Sequence, residues 1–317
     1  MIEIEPFRGE LTAYCYRMLG SVQDAEDLVQ ETMLRAWRAR DRYDATRASV
    51  RTWLYRIAAN ACLSALEGRA RRPLPSGLGA PSTDPGAPLT PAFEIPWLQP
   101  FPDARFDVGL RADLRLALVA ALQVLPPRQR AVLVLREVLE FSAAEVAVIL
   151  GTTVPAVNSA LQRARAALGA LAGAGDLDKV SEPEDPGVRS VIEAYVRAFE
   201  AADVDGLVRL LADDAVLEMP PVPLWYQGSL DYGLFMQRVF AMNGTGWLVR
   251  PLSANGQPAL AAYAPTADGV GGHRLHTLQV FTVADGRVAR NVVFADPAVF
   301  GIFGLAMSLD PGAGMYR

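Results

Sequence analysis

Lysine is nearly missing from this chain of 317 residues: Lys179 is the single one among 30 basic residues. With alanine, glycine, proline and arginine abundant, that bias fits the codon usage of a GC-rich genome. Cysteine is almost as scarce, and Cys15 and Cys62 sit in apolar stretches with neither CxxC nor metal-ligand spacing. This excludes a disulfide scaffold, and both thiols are expected in a core within a reducing compartment. Histidine occurs twice, at His273 and His276. The N-terminus, MIEIEPFRGE, lacks the basic start and apolar run of a signal peptide, and no segment approaches the ~20 apolar residues of a membrane span. The expected location is the cytoplasm. No repeat, cofactor motif or metal motif is visible.

What is present describes an ordinary globular protein, 51% hydrophobic and 21% charged, long enough for two or three domains. The net charge of -5 hides an asymmetry. Between Arg35 and Arg72, ten arginines face three acidic residues, whereas after Leu171 ten basic residues face seventeen acidic ones. A basic segment within an acidic chain is the footprint of a polyanion partner, and the acidic remainder is not expected to touch nucleic acid.

Hydrophobic periodicity divides the chain. Residues 5–72 read as nearly continuous helix, with apolar positions at helical spacing and no proline between Pro6 and Pro73. Residues 73–108 are too rich in proline and glycine for helix and read as a linker. Its Phe93, Ile95, Trp97, Leu98 and Phe101 are odd for a plain spacer and suggest that it docks on something. From Gly109 to residue 172 helical periodicity returns in four pieces. Leu114, Leu118, Leu122 and Leu125 form a stripe before Pro126 and Pro127, and Arg128–Glu140 is the second helix. Ser142 with Glu145 is a capping-box signature opening a third, which ends at Gly151. Thr153 caps the fourth, and the pattern is that of a helix-turn-helix. A small, acidic second linker spans 173–187. Beyond it, a helix carrying Val191, Ile192, Tyr195, Val196 and Phe199 is followed by strand-like runs. Two of them, LQVFTV and RVARNVVF, meet through Asp285-Gly286, a hairpin signal. Helices first and strands later argue for α+β in 188–317.

Two segments are the most informative. In SVQDAEDLVQETMLRAW, Ala25, Leu28, Val29, Thr32, Met33, Ala36 and Trp37 line one helical face. Glu26, Asp27, Gln30 and Glu31 leave an acidic surface near the helix start, where the dipole favours it. In the helix of about 49–67, Val50, Trp53, Leu54, Ile57, Ala58 and Ala61 form the apolar face. Arg51, Tyr55, Arg56 and Asn60 lie on or near the other, a mixture of charge, ring and amide suited to single-stranded DNA.

DAEDLVQETMLRAW followed by RTWLYRIAANACLSALEGRARR resembles region 2 of extracytoplasmic-function sigma factors of the sigma-70 family. LPPRQRAVLVLREVLEFSAAEVAVILGTTVPAVNSALQRARAAL resembles region 4 of the same family. The resemblance covers just over half the chain and implies a protein without enzymatic activity. It implies that Asp24, Glu26, Asp27, Gln30 and Glu31 dock on the β′ clamp helices of core RNA polymerase, with the β subunit as a further contact. It implies that Arg51, Tyr55, Arg56 and Asn60 recognise and melt the -10 promoter element, where extruding a base costs a few kcal/mol. The fourth helix of region 4 would then enter the major groove at -35. Its core positions would be Val157, Leu161, Ala164 and Leu168, and its groove-facing positions Ala156, Asn158, Ser159, Gln162 and Arg163. Asn158 and Ala160 stand where the family often has Lys or Arg, which implies weak autonomous DNA binding.

The C-terminal part resembles SnoaL-like members of the nuclear transport factor 2 and ketosteroid isomerase superfamily, a cone-shaped α+β fold that often holds a pocket. Trp225, Tyr226 and His276 are the pocket candidates, with core packing as the alternative reading and an unidentified small ligand as a partner. The expected whole is two all-α domains followed by an α+β domain that modulates them. The alternatives are a polymerase-independent helix-turn-helix regulator, and a bifunctional protein with a ligand-binding or catalytic C-terminal domain.

Overall fold

The computed structural model describes residues 3–105, 114–171, 185–266 and 272–310. The start of the second helical stretch at 109–113 and most of the second linker lie outside the described residues. The chain divides into two units, one comprising Met1–Arg72 and Arg105–Leu177, the other Pro73–Ala104 and Asp178–Arg317.

The first unit is helical. Its N-terminal half contains α1 (Arg8–Leu19), α2 (Val22–Ala39) and α3 (Val50–Leu66). Each boundary has a local cause. Gly20, in the left-handed region at φ 65°, closes α1. Ser21 and Ser49 cap α2 and α3 by accepting from the backbone N–H groups of Asp24 and Thr52. Leu11, Tyr14, Cys15, Met18, Val29, Leu54, Ala58 and Cys62 form the buried core between them. Cys62 Sγ lies 3.6 Å from Cys15 Sγ, both thiols being free and buried.

The second half of this unit contains α4 (Leu116–Val124), α5 (Pro127–Leu133), α6 (Ala143–Leu150) and α7 (Val154–Leu171). The helix expected over Arg128–Glu140 is α5 continued by a π-helical stretch, Val134–Val138. Leu139 N–H donates to Val134 O and Phe141 N–H to Leu135 O, while Glu140 sits at φ 56°. This wider winding ends the helix and turns Phe141 into the core. Both halves of the capping box, Ser142 and Glu145, are formed at the start of α6, and Gly151 closes it at φ 59°.

The two halves pack on each other through α3 with α5 and α6, and α1 with α4 and α5. Arg130, 3% exposed, ties them: its guanidinium donates to Met18 O on α1, to Gln123 Oε1 and O, and to Leu125 O. Gln123 Nε2 donates to Arg17 O at 3.1 Å.

The second unit contains α8 (Pro186–Glu200), α9 (Val204–Leu210), β1 (Leu211–Glu218), β2 (Trp225–Gln227), α10 (Ser229–Asn243), β3 (Leu248–Ala254), β4 (Gln257–Pro265), β5 (His273–Ala284), β6 (Arg287–Phe294), α11 (Pro297–Ile302) and β7 (Ser308–Leu309). The sheet order is β2-β1-β6-β5-β4-β3, with β7 pairing β5. Only the β1–β6 pair is parallel among these ladders. Asp285-Gly286, at φ 50° and 72°, makes the expected β5–β6 hairpin, and Asn255-Gly256, at φ 58° and 64°, makes the β3–β4 one. Tyr195, Phe199, Leu217, Tyr232, Phe240, Trp247 and Phe281 are among the core residues enclosed by the sheet, α8 and α10.

Residues 73–104 belong to this unit, although they contain only short helical turns and an isolated bridge. Their polar backbone groups are satisfied by the domain instead. Ser76 N–H donates to Glu218 Oε1, Trp225 Nε1 to Gly79 O, Ser82 N–H to Trp225 O and Tyr226 Oη to Asp84 O. Arg238 Nη1 reaches Pro85 O and Ala87 O, and Ala92 N–H donates to Pro221 O. At the far end, Phe101 exchanges bonds with Asn255, and Asp103 Oδ1 accepts from Gly256 N–H. Trp97, Leu98 and Phe101 are buried, whereas Phe93 is 65% exposed.

Candidate functional site

On α2 the apolar face of the sequence reading is buried, with one exception: Trp37 is 57% exposed and lies under the Arg40 guanidinium at 4.1 Å. Trp37 is therefore not a core residue: it lies on the solvent side of α2, next to Ala36, which is fully buried. Leu34 is 46% exposed. Together with Asp27, Gln30 and Glu31, which are also exposed, these two side chains make one stripe at i, i+3, i+4, i+7 and i+10 spacing. Leu34 and Trp37 were missed as surface residues, although two large apolar side chains beside acidic ones were the available signal. Asp24 and Glu26, and Glu31 within the stripe itself, are engaged inside the unit. Asp24 accepts from Arg69 at 3.1 Å and Arg72 at 2.9 Å, Glu26 pairs with Arg105 at 2.5 Å, and Glu31 with Arg35 at 2.6 Å. The exposed pairs of Glu26 and Glu31 contribute about 0–1 kcal/mol each and yield readily to a competitor, whereas the Asp24–Arg72 pair is part-buried.

On α3 the four candidates separate. Arg56 and Asn60 are exposed. Tyr55 is fully buried, edge-on to Tyr14 at 5.2 Å and to Phe141 at 5.0 Å, so it is a core ring in this structure and not a DNA-facing one. Burial first, then the Glu10 carboxylate, pushes its phenol well above the usual range. Arg51 is half-buried, donating to Glu10 Oε1 at 2.8 Å and Leu139 O at 3.1 Å, with its guanidinium 4.1 Å from the Phe141 ring centre. The cause is that α3 has two partners: the helices of its own half on one side and α6 with its preceding turn on the other.

In the helix-turn-helix, α7 buries one stripe and exposes the other side. Val157, Leu161 and Ala164 are buried and Leu168 half-buried, while Ala156, Asn158, Ser159, Gln162 and Arg163 are all exposed on α7. Ala160, where a cation was noted as missing, is buried. Arg165 adds one charge nearby but pairs with Glu137 at 2.7 Å.

The C-terminal domain holds a cavity of about 240 Å³. His276 lines it, with its imidazole edge-on to Trp247 at 5.2 Å. Burial, reinforced by Arg274, pulls this imidazole below its ordinary pKa. Trp225 and Tyr226 are not in the cavity wall; both are turned to the 73–104 segment, whose carbonyls they bind. The sequence reading missed Gln279 and Asn291, two amides among strand apolar residues, which face the cavity. Asn291 Nδ2 donates to Tyr232 Oη at 2.8 Å, Gln279 Oε1 at 3.0 Å and Tyr195 Oη at 3.3 Å, whereas its Oδ1 is buried without a partner. No carboxylate lines the cavity among the described residues.

Two helical regions, the second ending in a helix-turn-helix with one side of α7 exposed, followed by a cavity-bearing α+β domain, define a helix-turn-helix protein with an appended domain. Family models agree with each part: Sigma-70 region 2 matches residues 4–72, Sigma-70 region 4 residues 115–168, and a SnoaL-like domain residues 192–291. The chain is 49% identical over 313 residues to the ECF RNA polymerase sigma factor SigG of Mycobacterium tuberculosis, covering 96% of this chain and 83% of that protein. It is 30% identical to SigJ of the same organism, covering 94% and 92%. The crystal structure of SigJ matches with a TM-score of 0.65 at 26% identity, covering 94% of this chain and 97% of the other. The chain thus belongs to the sigma-70 family, as an extracytoplasmic-function RNA polymerase sigma factor with a SnoaL-like C-terminal domain.

Proposed function

We propose that this sigma factor, which binds RNA polymerase and recognises promoters, rests in a closed arrangement that its own C-terminal domain controls by holding the segment between regions 2 and 4. The observation that carries this reading is the packing of α3 on α6, which covers Arg51 and Tyr55 with Leu139 and Phe141. The -10 and -35 elements lie about 25 base pairs apart, roughly 85 Å along a duplex at about 3.4 Å per pair. Regions 2 and 4 in contact cannot reach both, so initiation requires them to part. The segment that must then move is the one bonded to Glu218, Trp225, Tyr226 and Arg238 of the C-terminal domain.

In the open state, Arg51, Tyr55, Arg56 and Asn60 meet the melted -10 strand. Ala156, Asn158, Ser159, Gln162 and Arg163 meet the -35 groove. The stripe of Asp27, Gln30, Glu31, Leu34 and Trp37 docks on core polymerase in the cytoplasm, with Asp24 and Glu26 joining once their internal pairs yield. Run-off transcription with core polymerase tests the control. Arg238→Ala, which removes the bonds to Pro85 O and Ala87 O, is expected to raise promoter-dependent transcription several-fold; activity equal to that of the unmodified chain would sink the reading. Leu34→Glu is expected to weaken core polymerase binding by roughly 30-fold, the effect of losing an interface anchor of about 2 kcal/mol. Co-purification with core polymerase measures it, and unchanged retention would move the docking surface elsewhere.

A catalytic role for the C-terminal domain has less support. Its cavity pairs amides with one imidazole whose pKa burial lowers, and among the described residues no carboxylate of the kind a proton-shuttling site would use lines it.

A further inference from the structure

We propose that the cavity of the C-terminal domain binds an uncharged, largely apolar molecule of one to two rings that bears one hydroxyl or N–H donor, and that the segment joining regions 2 and 4 forms part of its wall. The regulatory meaning of such binding rests on the closed-state reading above; the binding itself does not.

Size comes first. A dry protein cavity of 150 Å³ accommodates benzene, so a cavity of about 240 Å³ takes roughly a second ring or its substituents. Chemistry follows from the wall. Phe199, Leu217, Met219, Phe235, Met236 and Trp247 supply most of it, and among the described residues no Asp, Glu, Lys or Arg contributes. A charged ligand would lose its hydration there without compensation.

The polar groups then select within the apolar class. Asn291 is 1% exposed, and its Nδ2 is committed to Gln279 and two tyrosine hydroxyls. Its Oδ1 is left as a buried acceptor without a partner, an arrangement that folded proteins normally avoid. An acceptor on the cavity wall calls for a donor on the occupant. His276, held neutral, adds a second uncharged hydrogen-bonding group.

Leu89 and Pro91 place the joining segment at the site. They lie between two anchors, the Arg238 bonds to Pro85 O and Ala87 O on one side and the Ala92 N–H bond to Pro221 O on the other. The stretch between these anchors therefore borders the cavity, and an occupant touches it directly.

The test uses the full-length chain and three probes: 2-naphthol, naphthalene, which lacks the donor, and the 2-naphthoate anion. Calorimetric titration is expected to show saturable one-to-one binding of 2-naphthol, about tenfold weaker binding of naphthalene for the lost hydrogen bond, and none of naphthoate. Met236→Trp should fill the cavity and abolish binding. Leu89→Trp, which enlarges a segment residue packed at the edge of the domain core, should do the same while circular dichroism shows the domain still folded. Hydrogen exchange of the 87–92 backbone amides should slow when 2-naphthol is bound. Absence of saturable 2-naphthol binding, or its persistence in both variants, would overturn the site. Equal affinity for naphthalene would overturn the donor requirement, and unaltered exchange at 87–92 would overturn the shared wall. The transcription response of Arg238→Ala needs no probe, so the closed-state reading stands or falls separately.

Discussion

Glu218→Ala is expected to destabilise the C-terminal domain by about 3–5 kcal/mol, the usual cost of breaking a buried ion pair from one side. Glu218 is 0% exposed, and both of its oxygens are used. Oε2 accepts from Arg290 Nη1 at 2.6 Å on the neighbouring strand, and Oε1 accepts from Ser76 N–H at 2.9 Å on the joining segment. Alanine leaves a mostly buried guanidinium without its counter-charge and a backbone donor without its acceptor. Glu218→Gln separates these effects: the amide oxygen can still serve Ser76, so the segment should stay bound while the ion pair is lost. Chemical denaturation gives the stability of each variant, and limited proteolysis within 73–82 reports release of the segment. A loss below about 1 kcal/mol for the alanine variant would show that the pair is dispensable.

Arg130→Met is expected to lower the stability of the helical unit by about 2–4 kcal/mol, a melting-temperature fall of roughly 10 °C in a unit of this size. The methionine would fill the space without replacing the bonds. Met18 O, Gln123 Oε1 and O, and Leu125 O would each lose a donor in a dry environment. The loss is smaller than the number of bonds suggests, because the arginine is itself uncomfortable. No carboxylate is bonded to it, and burial brings its pKa down to about 10 against a smaller opposing effect of Cys62. With the folded-state pKa depressed, the unfolded chain binds the proton more tightly, so this group's penalty shrinks only as pH rises past about 10. At neutral pH the charge is retained at a cost, and its return is the tie between α1 of region 2 and the start of region 4. Differential scanning calorimetry would sink the idea if the melting temperature moved by less than about 2 °C.

Much of the architecture was legible because its signals are local. Ser142 and Glu145 announce α6, Gly151 ends it, and Asp285-Gly286 turns β5 into β6, all within a few residues of chain. The exposed side of α7 was legible for the same reason, since a helix buries one stripe and exposes the rest. Tyr55 was not, because its burial is completed by Phe141, eighty-six positions away, and the periodicity of α3 cannot reveal a second partner. The joining segment was legible as non-helical and sticky but not in its destination. Its hydrogen bonds run to Trp225, Tyr226 and Arg238, far along the chain, and follow no period. The same distance explains why Trp225 and Tyr226 looked like pocket residues when they grip a strap. Gln279 and Asn291 were visible as amides in apolar strands, but only the register Phe281↔Asn291 and Gln279↔Val293 brings them together.

The pinning of Pro73–Ala104 also changes what kind of object the connector is. As a free polymer, 32 residues would wander with an end-to-end distance of roughly 30 Å and could be drawn out to roughly 110 Å. Bonded along its length to a folded domain, the same stretch loses both its slack and its reach, and its ends are set by the domain's rigidity instead of by chain statistics. Under the closed-state proposal, each anchor that lets go would return contour length to the tether, and the separation open to regions 2 and 4 would be metered out bond by bond.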